Sequence, residues 1–521
     1  MRPYFYEALS ATCEPRVLLV VVLSAAYGIL IGSIPGLTAT MAVALLVPMT
    51  FFLDSVSAIA AIVTTVTCSI FAGDIPAALV RIPGTPASAA YASDAYALTR
   101  RGRAEQALGT SLVFSVIGGL FGILVLMVAA PQLARVATRF TSYEYFWLYA
   151  MGLTCAAIVS DQSRLKGLLA LLIGLILSTV GLGTDYSTPR LTFGWDQLIT
   201  GVSFIPAMIG LFGVSEVLRN ALVLDREADA RLDGGRATRE DGTPDDASGR
   251  GWLAATLAGV LPLAWRRKWS LLRSSVIGSL IGMLPGAGAD IAAWISYAVS
   301  KRFSREPQRY GSGSLEGLGD ATGSNNAAIG SAWIPALVFG IPGDSVTAIA
   351  IGVLLMKNIT PGPNIFDADS PDNQLTLVFS LYIVFALANL VLLPLGLLAI
   401  RGGTLLIRIP RRVLLPLVLM FCIVGSYALN ASYFDVGVML TLGLLGFVLE
   451  RFAVPLGPVV LGIILGGELE HKFIQCLTKS DSFAEFGESL ISKLLILAIA
   501  ALWLGPLAMR LARKSPFAPR K

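Results

Sequence analysis

One short pattern occurs twice in the chain. GILIGSIPG at residues 28–36 and GSLIGMLPG at residues 278–286 share Gly-x-x-x-Gly-x-x-Pro-Gly. A second pair follows in the same order: IPAALVRIPGTPASA at residues 75–89 and IPALVFGIPGDSVTA at residues 334–348. Two long matches in one order point to a duplicated and fused ancestral unit. Each copy puts Pro-Gly inside an apolar run, where proline supplies no amide hydrogen to a helix. The chain is therefore expected to fold as two related halves, each with two interrupted helical segments.

Composition sets the solvent of that fold. Of 521 residues, 55% are hydrophobic and 14% charged, whereas soluble domains carry about 25% charged residues. The charges gather between apolar runs, as loops between membrane spans do. The reading is an all-α, polytopic membrane protein of two inverted-topology repeats. Each repeat has two re-entrant or broken helical hairpins, and the whole has about 10–12 membrane-spanning segments. The net charge of +5 follows from loop asymmetry and does not suggest nucleic-acid binding. His471 is the single histidine, which excludes His-ligated metal sites and Ser-His catalysis. Cys13, Cys68, Cys155, Cys422 and Cys476 are scattered without metal-ligand spacing and read as packing residues.

In chain order, residues 1–224 form the first transmembrane repeat, 225–250 a charged cytoplasmic linker, and 251–486 the second repeat. Residues 487–521 add an extra helix and a basic tail. Arg16 followed by an apolar run resembles a signal peptide, but the same element recurs after Arg266, Arg267 and Lys268, so it reads as retained structure. The segment 75–82 is too short to cross ~30 Å of hydrocarbon and reads as the short arm of a second hairpin. In half one, apolar runs follow at 106–130, 141–160, 164–183 and 196–218; in half two, at 375–400, 413–429, 433–449 and 456–467. The linker is rich in charge, lacks an apolar face and reads as solvated and disordered. Tyr143, Tyr145, Phe146 and Trp147 read as an interfacial aromatic belt.

Loop charges give the relative orientation of the halves. The mouth of the first hairpin carries Asp54 in half one but Lys301, Arg302, Arg305 and Arg309 in half two. The second mouth carries Arg100, Arg101 and Arg103 in half one but Asp367, Asp369 and Asp372 in half two. Because Lys and Arg favour the cytoplasmic side, the halves are expected to be inverted. Arg408, Arg412 and the tail then fall inside, while Arg135 and Arg139 are discordant.

Chain breaks free backbone donors at the start of the following helix and carbonyls at the end of the preceding one. The donors attract carboxylates and the carbonyls suit a cation. The expected substrate-binding residues are Pro35, Gly36, Thr38, Arg81, Pro83, Gly84, Thr85, Ser88, Pro285, Gly286, Asn325, Asn326, Pro342, Gly343 and Ser345, with the hydroxyl of Thr347 beside them. Asn325 and Asn326 come from a polar stretch at 315–332 that also holds Glu316 and Asp320, where half one has an apolar span. The Gly-x-x-x-Gly portions are read instead as helix packing. Arg81 has two readings, pairing with a substrate carboxylate or with Asp74 or the interface. Asp290 and Asp344 suit a cation, and helix capping also accounts for Asp344.

These residues carry a family resemblance. GILIGSIPGLTA, IPGTPASAA followed by Asp94 and Tyr96, IGMLPGAGADIAA and SNNAAIGSAWIPALVFGIPG together make the chain similar to TctA, the large membrane subunit of tripartite tricarboxylate transporters. The resemblance covers almost the whole chain. It departs at Phe71-Ala72-Gly73, where the family usually has Tyr-Gly-Gly, and at Ala321-Thr322, where a Pro-Glu pair is common. It implies a permease in the bacterial inner membrane importing organic anions such as tri- or dicarboxylates. It also implies a small four-helix membrane subunit (TctB-like) and a periplasmic solute-binding protein (TctC-like) as partners, with no organic cofactor. The drive would be an ion gradient with sodium as coupling cation, placed near Gly36, Thr85, Gly286, Asn325 and Asp344. A stand-alone carboxylate carrier is the alternative. An intramembrane enzyme would need paired acids, a histidine-metal set or an acidic diphosphate-binding motif, and the sequence presents none.

Overall fold

The computed structural model describes residues 2–34, 37–159, 163–183, 188–222, 252–286, 288–369, 374–406, 411–479 and 483–514. Pro35, Gly36, Asp372, Arg408, the linker 225–250 and the tail beyond 514, on which sequence expectations rest, lie outside the described residues. Among the described residues the chain is helical apart from one short antiparallel pair, β1 (Gly181–Leu182) and β2 (Pro189–Arg190).

The first half runs α1 (Arg2–Thr12), α2 (Pro15–Gly32), α3 (Ala39–Thr50), α4 (Ser55–Ala72), α5 (Asp74–Val80), α6 (Ala92–Arg100) and α7 (Ala104–Ala137). Then come α8 (Ser142–Val159), α9 (Arg164–Ser178) and α10 (Phe204–Leu222). The second half has α11 (Trp252–Arg266), α12 (Lys268–Gly282), α13 (Gly288–Phe303), α14 (Leu315–Phe339), α15 (Ser345–Met356) and α16 (Leu375–Leu406). It continues with α17 (Arg411–Asn430), α18 (Tyr433–Arg451), α19 (Leu456–Lys479) and α20 (Leu490–Lys514). Six of the described helical stretches are long and apolar enough to cross a membrane: Pro15–Gly32, Ser55–Val80, Ala104–Ala137, Phe204–Leu222, Leu375–Gly403 and Tyr433–Arg451. The chain is an all-α polytopic membrane protein.

Two expectations change. Residues 75–82 are not a separate short arm, because α4 and α5 run on as one 26-residue apolar stretch. Gly73 keeps a helical backbone (φ −62°, ψ −16°) and its N–H bonds Ser69 O at 3.1 Å. Pro76 then falls in the first turn of α5, where a missing amide hydrogen is tolerated. The run at 196–218 has only a short 3-10 turn at Asp196–Leu198 and becomes α-helical from Phe204; Gly194 and Gly201, at φ 80° and 84°, interrupt the segment before it.

The described helices form two compact units, Met1–Ala134 with Ile205–Phe447 and Arg135–Phe204 with Val448–Lys521. In the larger unit the repeated glycines are packing surfaces. A methyl added to Gly28 or Gly32 of α2 would come within 2.6 Å of Thr65 O or 2.3 Å of Ser69 O on α4. At Gly278 or Gly282 of α12 it would meet Ser324 O at 2.1 Å or Ala328 O at 2.4 Å on α14. The alignment that pairs Ile75 with Ile334 also pairs Thr65 with Ser324 and Ser69 with Ala328. The duplicated sequence thus makes the same backbone-to-backbone contact twice. Glu316 and Asp320 spend their charge at the α12–α14 contact, on Arg267 at 2.6 Å and Arg273 at 2.9 Å.

In the smaller unit, α9 and α19 approach at Gly174 and Gly462, and Arg190 pairs with Glu470 at 2.7 Å. The aromatic group of α8 packs on α19 and beyond: Phe146 stacks near Phe473 and Phe486, and Trp147 Nε1 donates to Phe486 O at 2.6 Å.

Candidate functional site

All four interruptions belong to the larger unit, and local hydrogen bonds brace the first, second and fourth. At the first, the Ser33 N–H bonds Ile29 O at 3.0 Å to end α2, and Thr38 caps α3 by accepting the Met41 N–H at 3.2 Å. Pro35 and Gly36 themselves lie outside the described residues. At the second, Arg81 takes a left-handed backbone (φ 59°) and the Ile82 N–H returns to Pro76 O at 3.3 Å. Past Pro83, the Gly84 N–H reaches Gly73 O at 3.1 Å. Thr85 and Ser88 then brace each other, each side-chain oxygen accepting the other's N–H at 3.1 Å.

The fourth interruption repeats the second. Gly340 holds the left-handed position (φ 69°) that aligns with Arg81, and the Ile341 N–H returns to Pro335 O at 3.2 Å. After Pro342 and Gly343, Asp344 and Thr347 form a reciprocal capping box for α15. At the third, α12 ends at Gly282, Pro285 is buried, and Gly286 (φ 76°) turns the chain toward α13.

The flanks of the four breaks touch in a closed ring. Gly84 lies so close to α2 that a methyl on it would come within 3.1 Å of Gly32 O. Just past the second break, the Ala87 N–H donates to Asp290 Oδ1 of α13 at 3.0 Å, and Trp294 Nε1 donates to Pro86 O at 3.2 Å. The Gly288 N–H at the start of α13 donates to Gly343 O at 3.2 Å. Ser345 Oγ and Thr40 Oγ1 meet at 2.9 Å, which returns the ring to the first break. The contacts exchange between halves: Thr40 and Asp290 are equivalent in the first signature, and each meets the second break of the other half.

The two asparagines lie in the buried middle of α14, at 1% and 2% exposure. Asn326 Nδ2 donates to Ser115 Oγ of α7 at 2.9 Å and to Thr322 O at 3.2 Å. Its Oδ1, and those of Asn325 and Asn389, are buried and have no hydrogen-bond partner. Asn326 and Asn389 share a small gap with Thr67, Gly119, Ile329, Gly330 and Phe385. Acceptors without donors in an apolar interior are unstable unless a cation, water or ligand group reaches them.

The sequence-derived candidates divide accordingly. Thr38, Gly84, Thr85, Ser88, Gly286, Gly343 and Ser345 lie at the ring, and Pro285 and Pro342 are buried beside it. Pro83 and Arg81 are exposed. Among the described residues Arg81 forms no salt bridge with Asp74, whose oxygens are bonded by Tyr91 and Ser111 instead. Sequence reasoning missed Thr40, Ser111, Ser115 and Asn389. Each lies in an apolar run; the partners of Thr40, Ser111 and Ser115 are remote in sequence, and Asn389 meets Asn326 only at the gap.

Arg81 occupies a backbone region that costs an L-residue about 1–2 kcal/mol, at the place where the other half has glycine. Arg81→Gly is expected to leave transport intact and to hold or raise thermal stability, by up to about 1 kcal/mol after the glycine's unfolded-state entropy is counted. Loss of transport with a stable fold would return Arg81 to the substrate site.

The profile of the family described as "Tripartite tricarboxylate transporter TctA family" matches residues 18–461. An Agrobacterium vitis protein, described as an uncharacterized 52.8 kDa protein in the TAR-I ttuC' 3' region, is 32% identical over 476 residues, covering 91% of this chain and 90% of its own length. A second from the same organism, from the TAR-II ttuC' 3' region, is 36% identical over 194 residues, 37% of this chain and 78% of its own. No solved structure matches. With its interrupted helices, buried amides and a profile match running nearly end to end, the chain belongs to the TctA family, the membrane component of tripartite tricarboxylate transporters.

Proposed function

We propose that the chain is the permease of a secondary transporter importing tri- or dicarboxylates across a bacterial inner membrane. A periplasmic binding protein delivers the anion, a small four-helix membrane subunit completes the complex, and an ion gradient, with sodium as coupling cation, drives the step. The single observation that carries this reading is the ring of four breaks. Amides at the starts of α3, α6, α13 and α15 suit carboxylates, and the carbonyls ending the preceding helices suit a cation. Thr38, Thr85, Ser88 and Ser345 add hydroxyls, and Asn325 and Asn326 add amide oxygens. In this reading sodium would bind near Gly36, Thr85, Gly286, Asn325 and Asp344.

The test is reconstitution of the chain with its small subunit in liposomes. Labelled citrate should enter slowly until loaded receptor and an ion gradient are both supplied. Fast uptake by the chain alone would make it a stand-alone carrier.

The halves work as inverted repeats in this proposal. Two contacts support it: Lys357, at the end of α15, donates to Phe51 O at 2.9 Å beside the Asp54 mouth, and Asp94, near the Arg100 mouth, accepts the Gly313 N–H at 2.7 Å. Mouths of like charge are thus held together. Cysteines replacing Asp54 and Asp369, both exposed, should react with an impermeant thiol reagent from outside, and one replacing Arg305 should not. Equal labelling of all three from one side would rule the orientation out.

A further inference from the structure

The larger unit contains a buried acid that the transport proposal does not use. Asp74 is 2% exposed, and its chain neighbours Phe71, Ala72, Ile75 and Ala78 belong to one buried apolar cluster with Leu108 and Leu112 of α7. Tyr91 Oη donates to Asp74 Oδ1 at 2.6 Å, and the Ser111 hydroxyl donates to Oδ2. Among the described residues no cation pairs with it. Each charged group on the packed elements is directed elsewhere. Asp94 of α6 binds Gly313, Ser314 and Tyr297, and Asp290 of α13 binds the Ala87 N–H. Arg81, Arg100, Glu105 of α7 and Arg401 of α16 are exposed. Cys68 of α4 is a buried thiol.

We propose that Asp74 is a proton-binding site and that the transporter carries a proton on it. A lone carboxylate within a membrane span is costly unless its charge is removed or paired. Protonation removes that charge, and hydroxyls can serve either form because each donates and accepts. The step is a simple exchange: an O–H bond forms on the Asp74 carboxylate with a proton from water on one side, and breaks to water on the other.

Position links this exchange to transport. Asp74 directly follows Gly73, whose carbonyl holds Gly84, and Tyr91 lies on the far side of the same break. Opening the second break therefore pulls Tyr91 from Asp74 and admits water to the acid. The alignment that pairs Ile75 with Ile334 puts Trp333 opposite Asp74, so only one half carries the group. One proton per chain follows.

The inference rests on the transport proposal, and two experiments keep them separable. In the first, infrared spectra of the purified chain in phosphatidylcholine vesicles should contain a deuterium-sensitive carbonyl band of a protonated, water-excluded acid. The band should vanish in Asp74→Asn and move to higher frequency in Tyr91→Phe, which removes one hydrogen bond. A band unchanged in both variants overturns the site. In the second, the reconstituted complex with receptor is given citrate and one pH unit across the membrane, without a sodium gradient. One pH unit is worth about 1.36 kcal/mol per proton, so the wild type should accumulate citrate about tenfold and Asp74→Asn should show a ratio near one. Equal pH-driven accumulation by the two overturns proton carriage. Absence of citrate movement in the wild type under any gradient counts against the transport proposal, and the infrared bands still decide whether Asp74 holds the proton.

Discussion

Asn326→Leu is expected to lower substrate uptake at least about a hundredfold, equivalent to ~2.7 kcal/mol, while the protein still folds and inserts. The two side chains are close in size, so α14 keeps its packing. The known losses are the bonds to Ser115 Oγ and Thr322 O, one of which is local to the helix, and a typical hydrogen bond contributes only ~1 kcal/mol. The larger loss is the buried Oδ1, which has no partner, on a residue that lines a narrow gap together with Thr67 and Asn389. Position 326 aligns with Thr67 in the duplicated unit, so polar groups from equivalent places meet there. Uptake by reconstituted protein, with thermal unfolding in parallel, checks the prediction. Normal uptake by the leucine variant would reduce the asparagines to packing features.

The parts of the fold legible in the sequence are those whose physics is local. Gly28, Gly32, Gly278 and Gly282 leave a visible spacing because close backbone approach tolerates no side chain. The interruptions at Pro83 and Pro342 follow from short signatures that repeat. Pro76 shows the limit: in sequence it looks like a further breaker beside Pro83, but its place in the first turn of α5 lets the helix run through. Only the backbone angle of Gly73 decides between the two.

The residues flanking the breaks were legible as a set, but not their pairings. Nothing in the sequence says that Thr40 meets Ser345, or that Asp290 reaches across to Ala87. Capping of α15 by Asp344 was readable because Thr347 lies three residues on. The polar stretch 315–332 was readable as unusual, but its acids and amides have separate roles. Glu316 and Asp320 meet arginines at the α12–α14 contact, whereas Asn325 and Asn326, like the second oxygen of Asp320, keep a buried oxygen without a partner. Partner identity across several hundred residues is a property of packing, which one sequence does not display.

Asp94→Ala should be the most destabilising single change at the mouths, by about 3–5 kcal/mol, because it strands three hydrogen-bond donors at once. Asp94 is fully buried and accepts three hydrogen bonds: the Gly313 N–H at 2.7 Å, the Ser314 N–H at 2.8 Å and the Tyr297 hydroxyl at 2.6 Å. Its carboxylate joins α6, from the first half, to α13 and to the start of α14. Alanine leaves three donors without an acceptor, each worth about 1–3 kcal/mol when stranded. Asparagine keeps an oxygen for the two amides, and the tyrosine hydroxyl can rotate to accept from its NH2 group, so Asp94→Asn should lose only ~1 kcal/mol. Tyr297→Phe should lose a similar amount. Thermal unfolding in detergent reads the order directly. An alanine variant as stable as the asparagine variant would mean that water replaces the carboxylate and that this junction does not hold the halves together.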